Sequence, residues 1–137
     1  ENSIFGQNGP RVGSPAGGAI VAHSVNILGH KRAREMWMTC KRYSATEMMN
    51  WGLVNSVVKK EKLDDEVKKY GDEILKAAPT CLKILKASFR KQFDEILKIT
   101  QKSMVEEVSP EYFKTGEQAE GAKAFLEKRK PNFKKFR

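Results

Sequence analysis

The stretch Ile4-Phe5-Gly6-Gln7-Asn8-Gly9-Pro10-Arg11-Val12-Gly13-Ser14-Pro15-Ala16-Gly17-Gly18 decides how this chain of 137 residues is read. Ile4-Phe5 has the character of a strand end. Glycines at 6, 9, 13, 17 and 18, with prolines at 10 and 15, then forbid regular structure and dictate a loop. Glycine lets main chain approach a ligand closely, because no Cβ stands in the way. A loop of this kind that runs into a helix also offers the unpaired N–H groups of the first helical turn, which favour an anion. Taken alone, the stretch serves equally well as a plain strand-to-helix connection.

Working outward, Ile20, Val21, Val25, Ile27 and Leu28 predict a buried helix closed by Gly29, followed by a second helix over His30–Cys40 with Ala33, Met36, Trp37 and Cys40 on one face. Ser44-Ala45-Thr46-Glu47 is a capping box opening a short helix that carries Met48, Met49 and Trp51 and stops at Gly52. Leu53-Val54-Asn55-Ser56-Val57-Val58 reads as the other strand, since it is β-branched and bounded by Gly52 and by charge. Beyond Lys59 all is helix. Leu63, Val67, Tyr70, Ile74 and Leu75 form one stripe ended by Pro79, and Leu82, Ile84, Leu85, Phe89 and Phe93 form a second. Ile96, Leu97, Ile99, Met104 and Val105 suggest a third, broken at Ser109-Pro110. The last helix is expected from about Gly116 to Arg129, with Ala122, Phe125 and Leu126 inward and Pro131 as its stop. Two strands among so many helices make a poor α/β fold of their own. The sheet is therefore expected to lie largely in an upstream portion of the same protein, with residues 1–58 as the end of its core and residues 59–137 as a helical region.

An apolar fraction of 39% with 31% charged residues marks a globular chain, without an apolar run of membrane-spanning length. No signal peptide is visible at Glu1. Cys40 and Cys81 have neither disulfide-framework nor zinc spacing, which points to a reducing, cytoplasmic setting and makes Cys40 a buried spectator. The net charge of +9 is concentrated toward the end, where seven basic residues face two acidic ones between Glu120 and Arg137. Such a tail suits a nucleic acid, an anionic membrane or a phosphorylated small molecule. A non-catalytic basic helical module for nucleic acid is the reading from another class, but Phe125, Phe133 and Phe136 are few for a base-stacking surface.

Three blocks in order resemble the crotonase (enoyl-CoA hydratase/isomerase) superfamily. They are Ile4–Gln7 with Gly13–Gly18; Lys31–Met36 with Tyr43-Ser44-Ala45 and Met49–Val54; and Gly121–Phe133 (GAKAFLEKRKPNF). The resemblance covers nearly all of this chain but only the second half of the family's length. It implies an α/β fold of the ClpP/crotonase spiral type, with this chain mostly its helical C-terminal half. It further implies an acyl-CoA substrate, no cofactor beyond the coenzyme A moiety, and a homo-oligomer, either a trimer or a dimer of trimers. Neither nucleic acid nor membrane is expected as a partner. The isolated chain is expected to lack activity, because the upstream half of the family supplies part of the oxyanion hole.

Phe5–Ser14 is most similar to the FGQ-x-GP-[KR]-VGS pattern of enzymes acting on cyclic oxoacyl-CoA, namely the 6-oxocyclohex-1-ene-1-carbonyl-CoA hydrolases and the 1,4-dihydroxy-2-naphthoyl-CoA synthases. Ordinary hydratases of the family carry a catalytic glutamate at the position of Gly9, and glycine transfers no proton. The synthases place an aspartate two residues after the serine, where this chain has Ala16 after Pro15. The first departure disfavours simple hydration, and the second favours a ring-opening hydrolase of aromatic degradation over the ring-closing synthase, a lyase. The resemblance makes Gly13 an oxyanion-loop residue, Ser14 a substrate-positioning hydroxyl, and Tyr112 a donor entering a neighbouring subunit's site. It makes Lys128, with Lys130 nearby, the grip on the adenosine phosphates of coenzyme A. Each has a plainer alternative: a turn glycine, a helix cap, a packed ring, a solvated helix end. His23, on a packing helix, and His30, after a terminating glycine, read as structural.

Overall fold

The computed structural model describes residues 1–100 and 104–137, with only the main chain at Ile99. Ile4–Phe5 forms β1 and pairs antiparallel with β2, Tyr43–Ser44, so that Ile4 lies opposite Ser44 and Phe5 opposite Tyr43. Between them, a single 3₁₀ turn at Pro10–Val12 leads to α1, Ala19–Thr39. Gly29 divides α1 at φ 73° and ψ 163°, backbone that no helix contains, so the two helices expected on either side of it are joined by a kink. The Trp37 indole N–H donates to the Ser24 hydroxyl at 2.9 Å and ties the two halves together.

Ser44 ends β2 and caps α2, Ala45–Asn50. Its hydroxyl accepts from the Glu47 N–H at 3.2 Å, and its own N–H donates to the Glu47 carboxylate at 2.7 Å. This reciprocal pair is the capping box read from the sequence. The core gathers around it: Leu28, Ala33 and Met36 of α1 meet Tyr43 and the fully buried Met48, with Phe5, Val25, Trp51, Leu53 and Val54 packed at the edge. Cys40 is buried, as expected of a spectator, and Cys81 is exposed.

The remaining elements are helices: α3, Leu63–Leu75; α4, Pro79–Ile99; α5, Met104–Val108; α6, Tyr112–Thr115; and α7, Glu117–Leu126. Both α3 and α4 are amphipathic, yet Leu63, Val67, Tyr70 and Ile74 on one, and Ile84, Leu85 and Phe89 on the other, are 45% to 72% exposed. Where α4 crosses α1, the Phe93 ring meets His23 edge-on at 5.1 Å between centroids.

Four expectations change. In the first half of α1, expected to be buried, Leu28 is buried while Ile20 and Ile27 are exposed. Leu53–Val58 is no strand: β1 already pairs with β2, and the run is held instead by the Leu53 N–H donating to the Met48 carbonyl at 2.9 Å and by the Glu1 ammonium donating to the Val58 carbonyl at 2.8 Å. A strand forms only where a neighbour offers matching main-chain groups. The stripes through Phe93 and through Ile96 lie on one unbroken helix, α4, because neither glycine nor proline separates them; the rest of the expected third helix crosses residues 101–103, outside the described residues. On α7 the inward residues are Gly121 and Ala124, while Ala122, Phe125 and Leu126 are all exposed. The surface that α7 packs against is main chain, and only small residues let two backbones approach so closely.

Candidate active site

The glycine-rich loop is closed by its own hydrogen bonds. The Val12 N–H reaches the Asn8 and Gly9 carbonyls, and the Ser14 N–H donates to the Gly9 carbonyl at 2.9 Å. Gly13 ends the turn at φ 65°, a conformation that costs other residues steric strain. The Arg11 guanidinium donates to the Thr39 carbonyl at 3.1 Å and fastens the turn to the end of α1.

Behind this turn lies α7. A Cβ on Gly121 would sit 2.1 Å from the Val12 carbonyl oxygen and 2.7 Å from the Gly13 nitrogen, so one whole peptide unit rests on the bare Cα of Gly121. The carbonyl of Gly13 accepts the Tyr112 hydroxyl at 2.5 Å. Burial, and secondarily the charge of Glu117, raises the Tyr112 pKa and keeps that proton on the phenol. The loop is thus backed by α7 and clamped by Tyr112 within one chain.

In front of it opens a cavity of about 560 Å³. One wall is Pro15–Ile20, and the other runs from Thr100 and Met104 through Val105 and Val108 to Tyr112. A Cβ on Gly17 would approach the Met104 side chain to 2.9 Å, so glycine sets the width of the gap. Apolar side chains dominate the walls, and Tyr112 is the ionisable group among the described residues that line them. The first turn of α1, whose leading N–H groups have no helical partner, faces the same space. The arrangement therefore suits an apolar body carrying one oxygen that gains negative charge. Among the described residues no cluster of three or more His, Cys, Asp or Glu is placed to hold a metal ion.

The residues singled out in the sequence divide accordingly. Gly13 and Tyr112 are brought together. However, Gly13 is buried against α7 and off the cavity wall, so its peptide is taken up in packing rather than presented to a ligand oxygen. Tyr112 lines the cavity, with its hydroxyl engaged in its own chain. Ser14 is exposed beside Pro15, at the cavity's lip.

Lys128 and Lys130 lie past the end of α7, with Lys128 roughly 10 Å from Gly121 at the usual helical rise. Lys128 stands at φ 53°. Its N–H donates to the Phe125 carbonyl at 3.2 Å, and the Arg129 N–H donates to the Ala124 carbonyl at 3.0 Å. These two bonds are a Schellman cap, whose left-handed position is normally glycine. Close by, Glu120 accepts from Arg129 at 2.7 Å and from the Asn132 N–H at 2.7 Å. The Arg129 hydrogen bonds, then the Asn132 amide, pull its pKa down to about 2. Sequence reasoning missed Gly121 and Glu120. A glycine inside a helical pattern was the available sign for the first, whereas nothing local marks the second, whose partners lie nine and twelve positions on.

The model of the enoyl-CoA hydratase/isomerase family matches residues 1–136. Among solved structures, a methylmalonyl-CoA decarboxylase in complex with 2-nitronate-propionyl-CoA is 24% identical with a TM-score of 0.76, over 96% of this chain and 51% of that one. An enoyl-CoA hydratase/isomerase from Pseudoalteromonas atlantica T6c is 23% identical with a TM-score of 0.76, over 96% and 52%. An enoyl-CoA hydratase subunit from Geobacillus kaustophilus HTA426 is 30% identical with a TM-score of 0.59, over 96% and 51%. The chain thus spans about half the length of the structures it matches.

Proposed function

The chain belongs to the enoyl-CoA hydratase/isomerase (crotonase) family and has the helix-rich part of that α/β fold, and from this premise we propose that it serves an acyl-coenzyme A enzyme whose acyl group occupies the cavity between Pro15–Ile20 and Met104–Tyr112. The observation that carries the finer reading is the absence of a carboxylate from the described cavity walls, together with Gly9 at the position of the family's catalytic glutamate. Simple hydration needs that acid, so hydrolytic ring opening of a cyclic oxoacyl-CoA fits better: water adds, a ring C–C bond breaks, and an open-chain acid remains. The synthase alternative keeps the same loop pattern but lacks its aspartate at Ala16.

In this reading the main-chain N–H groups of the first turn of α1 complement the charge that develops on the thioester oxygen. Ser14 positions substrate with its hydroxyl rather than attacking, since no hydrogen bond joins it to a base among the described residues. Gly13 shapes the loop, and Tyr112 holds that loop in place. Lys128, with Lys130, takes the phosphates of coenzyme A, a role suited to a mobile point charge. The uncovered apolar faces of α3 and α4 support assembly into a trimer or a dimer of trimers. Coenzyme A, carried by the substrate, is the only cofactor in this proposal. No described helix is long and apolar enough to cross a membrane, and the reading places the enzyme in the cytoplasm.

The test is incubation of the full-length protein with 6-oxocyclohex-1-ene-1-carbonyl-CoA, followed by mass spectrometry. A product carrying the added water and an opened ring is expected. Ring closure of an open-chain aroyl-CoA in its place would move the assignment to the synthase.

A further inference from the structure

The segment after α7 spends one basic side chain to present two others. The Glu120 carboxylate, 9% exposed, accepts both terminal nitrogens of Arg129, at 2.7 and 3.2 Å, and the Asn132 N–H at 2.7 Å, with the Lys135 ammonium 3.7 Å away. Arg129 also donates its Nε to Glu127 at 2.6 Å and one terminal nitrogen to the Lys130 carbonyl at 3.2 Å. Four of its five N–H donors are therefore committed inside the chain. Lys128 and Lys130, on either side, have no ion-pair partner among the described residues. Lys128 is held in left-handed backbone although it is not glycine. Such a conformation persists only where surrounding contacts over-determine it; the Schellman cap holds Lys128 itself, and the Glu120 latch fixes Arg129 and Asn132 beyond it.

We propose that Glu120 is a positioning residue which, through Arg129 and the Asn132 amide, sets Lys128 and Lys130 outward as a pair for the phosphates at the nucleotide end of the ligand. This rests on the acyl-CoA reading above. A preset pair loses less conformational freedom on binding than two mobile lysines would.

The experiment is calorimetric binding of coenzyme A and of pantetheine, which lacks the nucleotide, to the full-length protein and its variants. The wild type should prefer coenzyme A. Glu120→Gln should weaken coenzyme A by about tenfold, the scale of one well-placed charged contact, and leave pantetheine unchanged. Arg129→Met should reproduce that loss, and the double variant should add little, because both act through one latch. A purely structural role would weaken both ligands in parallel, and that result overturns the proposal. A far larger loss in Arg129→Met than in Glu120→Gln also overturns it, since Arg129 would then touch phosphate itself. If the coenzyme A affinity is unchanged in Glu120→Gln, this inference alone fails. A wild type that binds neither ligand overturns the acyl-CoA reading, whereas one that binds both alike leaves that reading standing and removes the phosphate role of Lys128 and Lys130, and the latch with it.

Discussion

Lys128 at φ 53° occupies a position where glycine would relieve strain. Left-handed backbone costs a side-chain-bearing residue about 1–2 kcal/mol, offset in part by the greater freedom of glycine in the unfolded chain. Lys128→Gly should therefore raise stability by a few tenths to about 1 kcal/mol. The same change removes the ammonium proposed to meet phosphate, so coenzyme A affinity should fall while thermal stability rises. Paired melting and binding measurements check it; a variant that loses both would mean that the lysine side chain supports the fold. Opposite movement of the two quantities is the mark of a residue kept for its ligand.

At the scale of elements, Ser44 belongs at once to β2 and to the cap of α2, above the fully buried Met48. Ser44→Ala removes the acceptor of the Glu47 N–H and should cost about 1 kcal/mol, read as a lower melting temperature. The pH profile should change with it. Hydrogen bonds to the main-chain N–H of Ser44 and then to its hydroxyl lower the Glu47 pKa from 4.5. Stability from this group is thus fully present above about pH 4.5 and is lost as the pH falls through its depressed native value. Removing the hydroxyl should move the acid-side loss toward pH 4.5.

The cap and the Gly29 kink were legible because short-range chemistry produces them: a hydroxyl three residues before a carboxylate, a glycine where the helical pattern ends. Leu53–Val58 and the inward face of α7 were not, because each depends on what lies opposite. A strand is made by its neighbour, and Gly121 is buried only because the Val12–Gly13 peptide comes to rest on it. For the same reason the loop itself was legible from its glycines and prolines, while the orientation of Gly13 away from the cavity was not.

For the molecule as a whole, the exposed apolar stripes of α3 and α4 bear on the proposed assembly. Contiguous apolar surface of this kind is uncommon on monomers, which supports it. Ile84 and Phe89 are 61% and 72% exposed, so replacing both by glutamate removes nothing from this chain's interior. The double variant of the full-length protein should keep its circular dichroism and sediment as a smaller species than the wild type. An unchanged sedimentation coefficient would place the subunit contacts elsewhere.

The tie between Tyr112 and Gly13 spans 99 positions, and Gly121 backs the same turn from farther still. On a ribosome adding about 5–20 residues per second, the loop emerges roughly 5–20 s before its backing. Until then it has its own hydrogen bonds but nothing to rest on, so the pocket closes only once α7 has been translated. A polypeptide released before α7 would hold much of its buried core around Met48 and still lack the backing of this loop. Loss of α7 would thus be felt first at the cavity, and only second in the core.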